Sequence, residues 1–353
     1  MSSTTVTINL VVSNGERYIK HCLGAVLAQS YPRELIELNI LDNGSFDETK
    51  IIIKNYKLKI ENSNFATFNF IESGKNLGMW PGQEELLKYT NGKYVLSLCV
   101  DVILDKDFIK NAVEIMEKND KIGALEAKIY KYDIRDLEIE NYKFKTGGII
   151  DTCGFNIFKS RRVTNIGHGE VDKGQFSEQK EIFAVEGAAP FLRREAINDI
   201  KINEDFIDHE YFLYGDDLDF AWRMTLLGWK QVFSPSVIAW HDRQTTKTLK
   251  KNWFDYILRI PIRNQIPLKK RRLDWKNTRF TIIKNDYIIN IVKDLPAILS
   301  RELAVFGYTL LFEPKVFAEL PAFLILLPNM IKKRREIMKR ATVPAKEIKK
   351  WFK

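Results

Sequence analysis

Thr7-Ile8-Asn9-Leu10-Val11-Val12-Ser13 is a short apolar run that stops at Asn14-Gly15. It lacks the polar–apolar alternation of a strand with one wet face, so it reads as a strand buried on both faces, as in parallel sheets. Just downstream, Tyr18, Ile19, Cys22, Leu23, Val26 and Leu27 recur at helical spacing over residues 17–29, and Ser30-Tyr31-Pro32 stops that helix. The same alternation continues. A strand at 37–41 ends in Asp42-Asn43-Gly44-Ser45, and a helix at 47–56 precedes a strand at 67–71. A loop at 74–82 leads to a helix at 83–89, and Asn91-Gly92 turns the chain into a strand at 94–99. Strands alternating with helices in this way predict an α/β fold with a doubly wound, mostly parallel sheet.

Three of these strands end in polar residues that a core would not accept: Ser13-Asn14, Asp42-Asn43-Gly44-Ser45, and Asp101 between Val100 and Val102. In a doubly wound sheet such ends share one edge, where ligands gather. Asp42 can form an Asx-turn with Gly44 or accept hydrogen bonds from a ligand. Asp101 inside an apolar run is costly unless it meets a cation or hydrogen-bond donors.

Further along, a helix is expected at 108–118 and a strand at 123–129. A polar, glycine-containing region of hairpins and mobile loop then fills 130–181. A strand at 182–186 ends in Gly187-Ala188-Ala189, small residues that let a ligand approach the backbone. The aromatic, strand-like run Tyr211-Phe212-Leu213-Tyr214 then meets Gly215-Asp216-Asp217-Leu218-Asp219-Phe220-Ala221-Trp222-Arg223. That second stretch opens a helix of about three turns whose acidic first turn suits the helix dipole. Asp219 and Arg223, four apart, can pair on one face. The carboxylates outnumber what capping needs, so they are candidate site residues. The last strand, 237–241, ends in Trp240-His241.

The ordered set Asp42-Asn43-Gly44-Ser45, Asn76-Leu77-Gly78, Asp101, Gly187-Ala188-Ala189, Asp216-Asp217 and His241 resembles a family-2 inverting glycosyltransferase of the GT-A fold over residues 5–245. The run from Gly174-Gln175-Phe176 to Arg193-Arg194 is most similar to the bacterial rhamnosyltransferases of polysaccharide assembly, which use dTDP-rhamnose. The sequence departs from the pattern at Cys99-Val100-Asp101, where the first carboxylate of the DxD metal motif is missing. It departs again at Asp216, which replaces a glutamate.

The resemblance implies a nucleotide-diphosphate sugar donor, dTDP-rhamnose before a UDP-sugar, and a glycan or lipid-linked glycan acceptor. Ser13, Asn14, Asp42, Asn43, Asn76, Gly78, Asp101 and Arg223 are expected to serve the donor. Asp101 and His241 would hold Mg²⁺ or Mn²⁺, whose charge offsets the leaving diphosphate. Asp217 is the expected general base, with Gly187, Ala188 and Asp216 on the acceptor side. Two other readings stay open: a nucleotidyltransferase on the same fold type, and a non-enzymatic basic protein that binds nucleic acid or membrane. The first would want a basic, glycine-rich loop after the first strand, where only Arg17 follows. Nucleic acid is not an expected partner, because no nucleic-acid motif accompanies the charge.

The chain has 353 residues, 45% of them hydrophobic, enough for a large core. Residues 1–7 are polar and lead directly into the first strand, unlike a cationic, apolar leader. Cys22, Cys99 and Cys153 form no CxxC and read as reduced cytosolic thiols without a zinc site. Charge is split along the chain. Residues 1–240 carry 29 Lys+Arg against 36 Asp+Glu, and residues 241–353 carry 26 against 10. A catalytic domain is therefore expected at 1–245 and a basic, helical, amphipathic region at 246–353. Within that region the longest uncharged run, residues 320–331, has 12 residues broken by Pro321 and Pro328. A bilayer span takes about 20 residues, so 295–340 is expected to attach to an anionic membrane surface without crossing it, with Lys269-Lys270-Arg271-Arg272 nearby. That would put the protein at the inner face of the cell membrane. The alternatives are a helical cap on the catalytic domain or a dimer contact. No oligomeric state follows.

Overall fold

Strand β1 (Val6–Val12) is buried along its whole length. The computed structural model, which describes residues 4–138, 144, 146–243 and 260–353, sets it inside a ten-stranded sheet. Helix α1 (Glu16–Leu27), β2 (Ile36–Asp42), α2 (Thr49–Glu61), β3 (Thr67–Glu72), α3 (Met79–Leu87) and β4 (Tyr94–Cys99) follow in order. β1 pairs in parallel with both β2 and β4, and β2 with β3. The path 3-2-1-4 reverses its direction of travel between β1 and β4. The crevice beyond the carboxyl ends of those two strands is thus a topological switch point.

β5 (Val102–Leu104), α4 (Phe108–Glu117), β6 (Ile122–Lys131), β7 (Ile150–Thr152), β8 (Phe155–Ile157), β9 (Val163–Asn165), β10 (Lys180–Ile182), β11 (Phe191–Arg193), α5 (Arg194–Asp199), α6 (Asp216–Leu226) and β12 (Lys230–His241) complete this part. The sheet order is β10-β12-β6-β11-β4-β1-β2-β3, with β5 beside β12 and β7 beside β6. β11 runs antiparallel between β4 and β6, so the sheet is mixed. One face buries Ile19, Leu23 and Val26 of α1 and Ile109 of α4 against β1 and β4. The other buries Phe220, Trp222 and Met224 of α6.

Three local expectations change. α3 begins at Met79 inside the expected loop, with Pro81 in its first turn, where a missing N–H costs nothing. The expected strand at 182–186 keeps only Ile182, at the end of β10. The aromatic run 211–214 is a loop, with Phe212 and Tyr214 at φ 64° and 68°. Asn277 Nδ2 donates to the carbonyls of Tyr211, Leu213 and Tyr214, a tertiary contact that outweighs the strand preference of aromatic residues.

The later helices are α7 (Ile260–Gln265), α8 (Leu268–Asn285), α9 (Ile288–Lys293), α10 (Leu295–Phe312), α11 (Leu320–Arg340) and α12 (Ala345–Lys349). The boundary expected at 245–246 lies outside the described residues. These helices share a core with the sheet. Phe352 packs on Trp222 and lies under the Arg161 guanidinium at 4.1 Å, while Arg161 pairs with Asp286 and Asp294. Lys284, fully buried, sits 2.6 Å from Asp208 and 2.9 Å from Asp219. Pro328 lies within α11 without ending it, contrary to the expected break.

Candidate active site

The turns after β1 and β2 are stitched together by short polar side chains. The Asn14 N–H donates to Ser45 Oγ at 2.9 Å, and the Phe46 N–H to Asn14 Oδ1 at 3.0 Å. Asn43 Nδ2 donates to the Gly78 carbonyl at 2.9 Å, and Asn43 Oδ1 accepts from the Leu77 N–H at 2.8 Å. Asn76 Nδ2 donates to Ser13 Oγ at 3.1 Å, closing the 76–78 loop onto the end of β1. The buried Asp42 carboxylate takes the Ser45 N–H at 3.3 Å and lies 3.6 Å from Lys50. Gly78 (φ 101°) is required here, since a Cβ would stand 2.5 Å from the Phe212 carbonyl. Ser13, Asn14, Asp42, Asn43, Asn76 and Gly78, expected from separate motifs, thus form one polar cluster at the strand ends.

Asp101 follows the end of β4. β5 then runs antiparallel to β12 with Val102 opposite His241, and this register brings His241 Nε2 to 3.4 Å from Asp101 Oδ2. Two ligand atoms at right angles around a small octahedral cation, each about 2.1 Å from it, stand about 3 Å apart, so the pair suits a shared divalent ion. Nδ1 of His241 lies 2.9 Å from Asp151 Oδ2. Burial works against a charge on His241, but Asp101 and Asp151 outweigh it and push the imidazole up to about 10. Arg243 Nε reaches Asp151 at 2.9 and 3.0 Å, and its Nη2 reaches Glu186 Oε1 at 2.6 Å.

Asp217, the second residue of α6, is half-buried. A side chain at Gly187 would come within 3.1 Å of its Oδ2, so the glycine turn and the carboxylate lie face to face. Burial first, and the Glu186 charge second, raise the Asp217 carboxyl to about 7. That places a proton acceptor near neutrality directly against the glycine turn. Ala188 is buried, its N–H donating to Glu186 Oε2 at 2.9 Å.

Two of the expected site residues lie in the interior. Arg223 is 2% exposed, and its guanidinium is spent on Asp219, the Ile200 carbonyl and the Phe206 carbonyl. It braces α6 and does not face a diphosphate. Asp216 is also 2% exposed, and neither carboxyl oxygen has a hydrogen-bond partner. Burial, then the charges of Asp217 and Asp219, raise its carboxyl well above the usual range. Its side chain is turned into the interior behind the first turn of α6. Sequence reasoning missed Asp151, Glu186 and Arg243. Glu186 precedes the glycine turn and Arg243 follows His241 by two, which were usable signals; Asp151 carries none. A separate group, Glu84, Asp205 and His209, has ligand atoms within 4.8 Å. One Glu84 oxygen takes the N–H groups of Phe206 and Ile207, and the group fastens that loop to α3 outside the crevice.

Comparison with known proteins points the same way. The family model described as glycosyl transferase family 2 matches residues 7–200. Asp217 and His241 lie beyond that match. A curated relative from Methanococcus voltae is 24% identical over 254 residues, 71% of each chain. It is named dolichyl N-acetyl-alpha-D-glucosaminyl phosphate 3-beta-D-2,3-diacetamido-2,3-dideoxy-beta-D-glucuronosyltransferase. Among solved structures, the mannosyltransferase PcManGT from Pyrobaculum calidifontis with GDP-Man and Mn²⁺ is 14% identical with a TM-score of 0.51. The match covers 96% of this chain and 86% of that one. GalNAc-T7 with UDP, GalNAc and Mn²⁺ is 15% identical with a TM-score of 0.54, covering 82% of this chain and 57% of that one. At such identities the two structures speak for the fold alone, the GT-A fold.

Proposed function

The chain belongs to glycosyl transferase family 2, and we propose that it moves a sugar from a nucleotide-diphosphate donor to a hydroxyl of a glycan or lipid-linked glycan with inversion. The observation that carries this reading is Asp217: a carboxylate near neutrality, half-buried, facing the bare backbone at Gly187. In the proposed step Asp217 takes the proton of the acceptor hydroxyl as that oxygen bonds to C1 of the sugar. The C1–oxygen bond to the diphosphate breaks, and the nucleoside diphosphate leaves with the electron pair. One displacement inverts the anomeric centre.

Asp101 and His241 would hold Mg²⁺ or Mn²⁺, whose charge offsets that building on the diphosphate. Ser13, Asn14, Asp42, Asn43, Asn76 and Gly78 would seat the nucleoside and phosphates. The GDP-Man and Mn²⁺ held by PcManGT, and the UDP and Mn²⁺ held by GalNAc-T7, support the metal and the donor class. The dolichyl phosphate in the relative's name supports a lipid-linked acceptor. The motif likeness around Gly174-Gln175-Phe176 favours dTDP-rhamnose over UDP-sugars.

The described part of 246–353 supports attachment to an anionic membrane surface at the inner face of the membrane. α10 and the stretch Pro314–Arg340, which includes α11, are long and apolar enough by length and composition to cross a bilayer, and only 6% and 11% of their apolar windows are buried. Leu295, Leu299, Leu303, Phe306 and Leu310 repeat at three- and four-residue intervals along α10, all exposed. Their other contacts fix both helices to the protein. Lys333 of α11 pairs with Asp208 at 2.6 Å, and Arg301 and Glu302 interrupt α10 with Glu302 held by Arg279. Mid-helix charges paired to the protein body favour helices that lie in the interface.

The decisive experiment is a panel of nucleotide sugars with Mn²⁺ read by thermal shift and then by product analysis. A donor at about 100 times its Kd adds about 2.7 kcal/mol of stability, and its product should carry the inverted linkage. Released inorganic diphosphate, or a retained anomeric configuration, would overturn the proposal.

A further inference from the structure

This inference rests on the reading that Asp101 and His241 share a divalent ion. Behind that pair lies a third carboxylate. Asp151 sits on β7, which pairs with β6, and is 0% exposed. A buried carboxylate is costly unless it is paired and hydrogen-bonded. Three groups meet that need. His241 Nδ1 stands 2.9 Å from its Oδ2, and Arg243 Nε reaches both oxygens. The His168 ring lies 3.4 Å from Oδ1, with its Nδ1 2.7 Å from the Asp151 carbonyl. Arg243 continues to Glu186, and Glu186 holds the Ala188 N–H. One chain of charged contacts thus runs from Asp101 through His241, Asp151, Arg243 and Glu186 to the glycine turn facing Asp217.

We infer that Asp151 is a positioning residue: it keeps the proton of His241 on Nδ1 and turns the Nε2 lone pair toward the ion shared with Asp101. An imidazole without such a partner rotates and populates the wrong tautomer, and both lower its affinity for a cation. Loss of a hydrogen-bonding partner behind a ligating histidine typically weakens metal binding about 10–100-fold. Arg243 Nε reaches both oxygens of the same carboxylate, which restrains it beside His241.

The test uses the full chain with Mn²⁺ alone, the free ion being followed by electron paramagnetic resonance. Asp151→Asn keeps the shape and removes the charge, and His168→Ala disturbs the same residue at Oδ1 and the backbone carbonyl, leaving the oxygen that faces His241 in place. Asp151→Asn should weaken Mn²⁺ binding about 10–100-fold, His168→Ala less than about threefold, and His241→Ala most of all. Wild-type affinity in Asp151→Asn beside a loss in His241→Ala overturns this inference alone. Wild-type affinity in His241→Ala removes the metal reading and this inference with it. A measurement on the unmodified protein needs no variant to fold: with Mg²⁺ bound, ¹⁵N resonances of His241 should show Nδ1 protonated. A proton on Nε2 under those conditions also overturns the inference.

Discussion

Asp217→Asn should slow catalysis sharply and stabilise the protein at the same time. The native carboxyl holds its proton up to about pH 7, because burial and the Glu186 charge oppose ionisation, whereas an unfolded aspartate releases it near 3.8. The native state therefore binds more protons than the unfolded state between those values, and stability falls as pH rises through them. Asp217's favourable contribution is complete below pH 3.8 and lost by about pH 7. A shift of that size at about 1.4 kcal/mol per pH unit, discounted for a half-exposed group, is about 2–4 kcal/mol of strain in the working enzyme. Asparagine carries no charge to desolvate, and its oxygen can still accept the Leu218 N–H, 2.8 Å away in the native site. Metal-free denaturant unfolding at pH 5 and pH 8 should show the variant gaining most at pH 8. Turnover should fall by about 10²–10⁴, and wild-type kcat/KM should decline below about pH 7 on its acid limb. Near-normal turnover would remove Asp217 as the base. An equal stability change at both pH values would remove the strain argument.

Asp216→Asn should keep at least about a tenth of wild-type turnover, in contrast to its neighbour, because its side chain lies inside the fold and burial favours the uncharged carboxyl, which an amide resembles; steady-state kinetics on both variants would show the contrast. Lys284→Met should destabilise the chain by about 3–5 kcal/mol, measured by urea unfolding, since Asp208 and Asp219 would lose their shared buried cation. Serine at Leu303, Leu311 and Ile325, which are 70%, 72% and 76% exposed, should abolish flotation with anionic liposomes while leaving thermal stability unchanged. Equal flotation of that variant would rule out the membrane face.

The strand-end half of the site was legible because buried parallel strands are written as apolar runs, and polar residues stand out where they stop. Ser13, Asp42 and Asp101 are marked that way, and the sheet order brings them to one edge. The helix half was less so. The four-residue spacing of Asp219 and Arg223 foretold their ion pair but not that the carbonyls of Ile200 and Phe206 would take the other donors of the guanidinium. An acidic first turn says that carboxylates suit the dipole, not which of them the helix rotates inward, and here Asp216 goes in while Asp217 faces Gly187. Asp151 lay beyond reach. It is 90 residues from His241, in a polar region without periodicity, and only the pairing of β7 with β6 carries it to the site.

The charge split along the chain gains a second meaning from the base helix. Its acidic side needs cations, and the basic region supplies them. Asp219 of α6 is held by Lys284 and Asn285 of α8, and Asp208, on the preceding loop, is held by Lys284 and by Lys333 of α11. α11 in turn exposes Leu324 and Ile325 on a surface of its own. The helix that carries the proposed base and the helix proposed to meet the membrane are thus linked by three ion pairs in series, Asp219–Lys284, Lys284–Asp208 and Asp208–Lys333. Such ions cost several kcal/mol to leave unpaired. Cutting the chain near residue 245 would remove Lys284, Lys333 and the Phe352 ring together, taking both lysines from Asp208, leaving Asp219 with Arg223 alone and removing the ring that packs on Trp222. A truncated chain that failed to float would therefore report unfolding as readily as lost attachment. Substitution of the exposed leucines, with Lys284 and Lys333 left in place, separates the two.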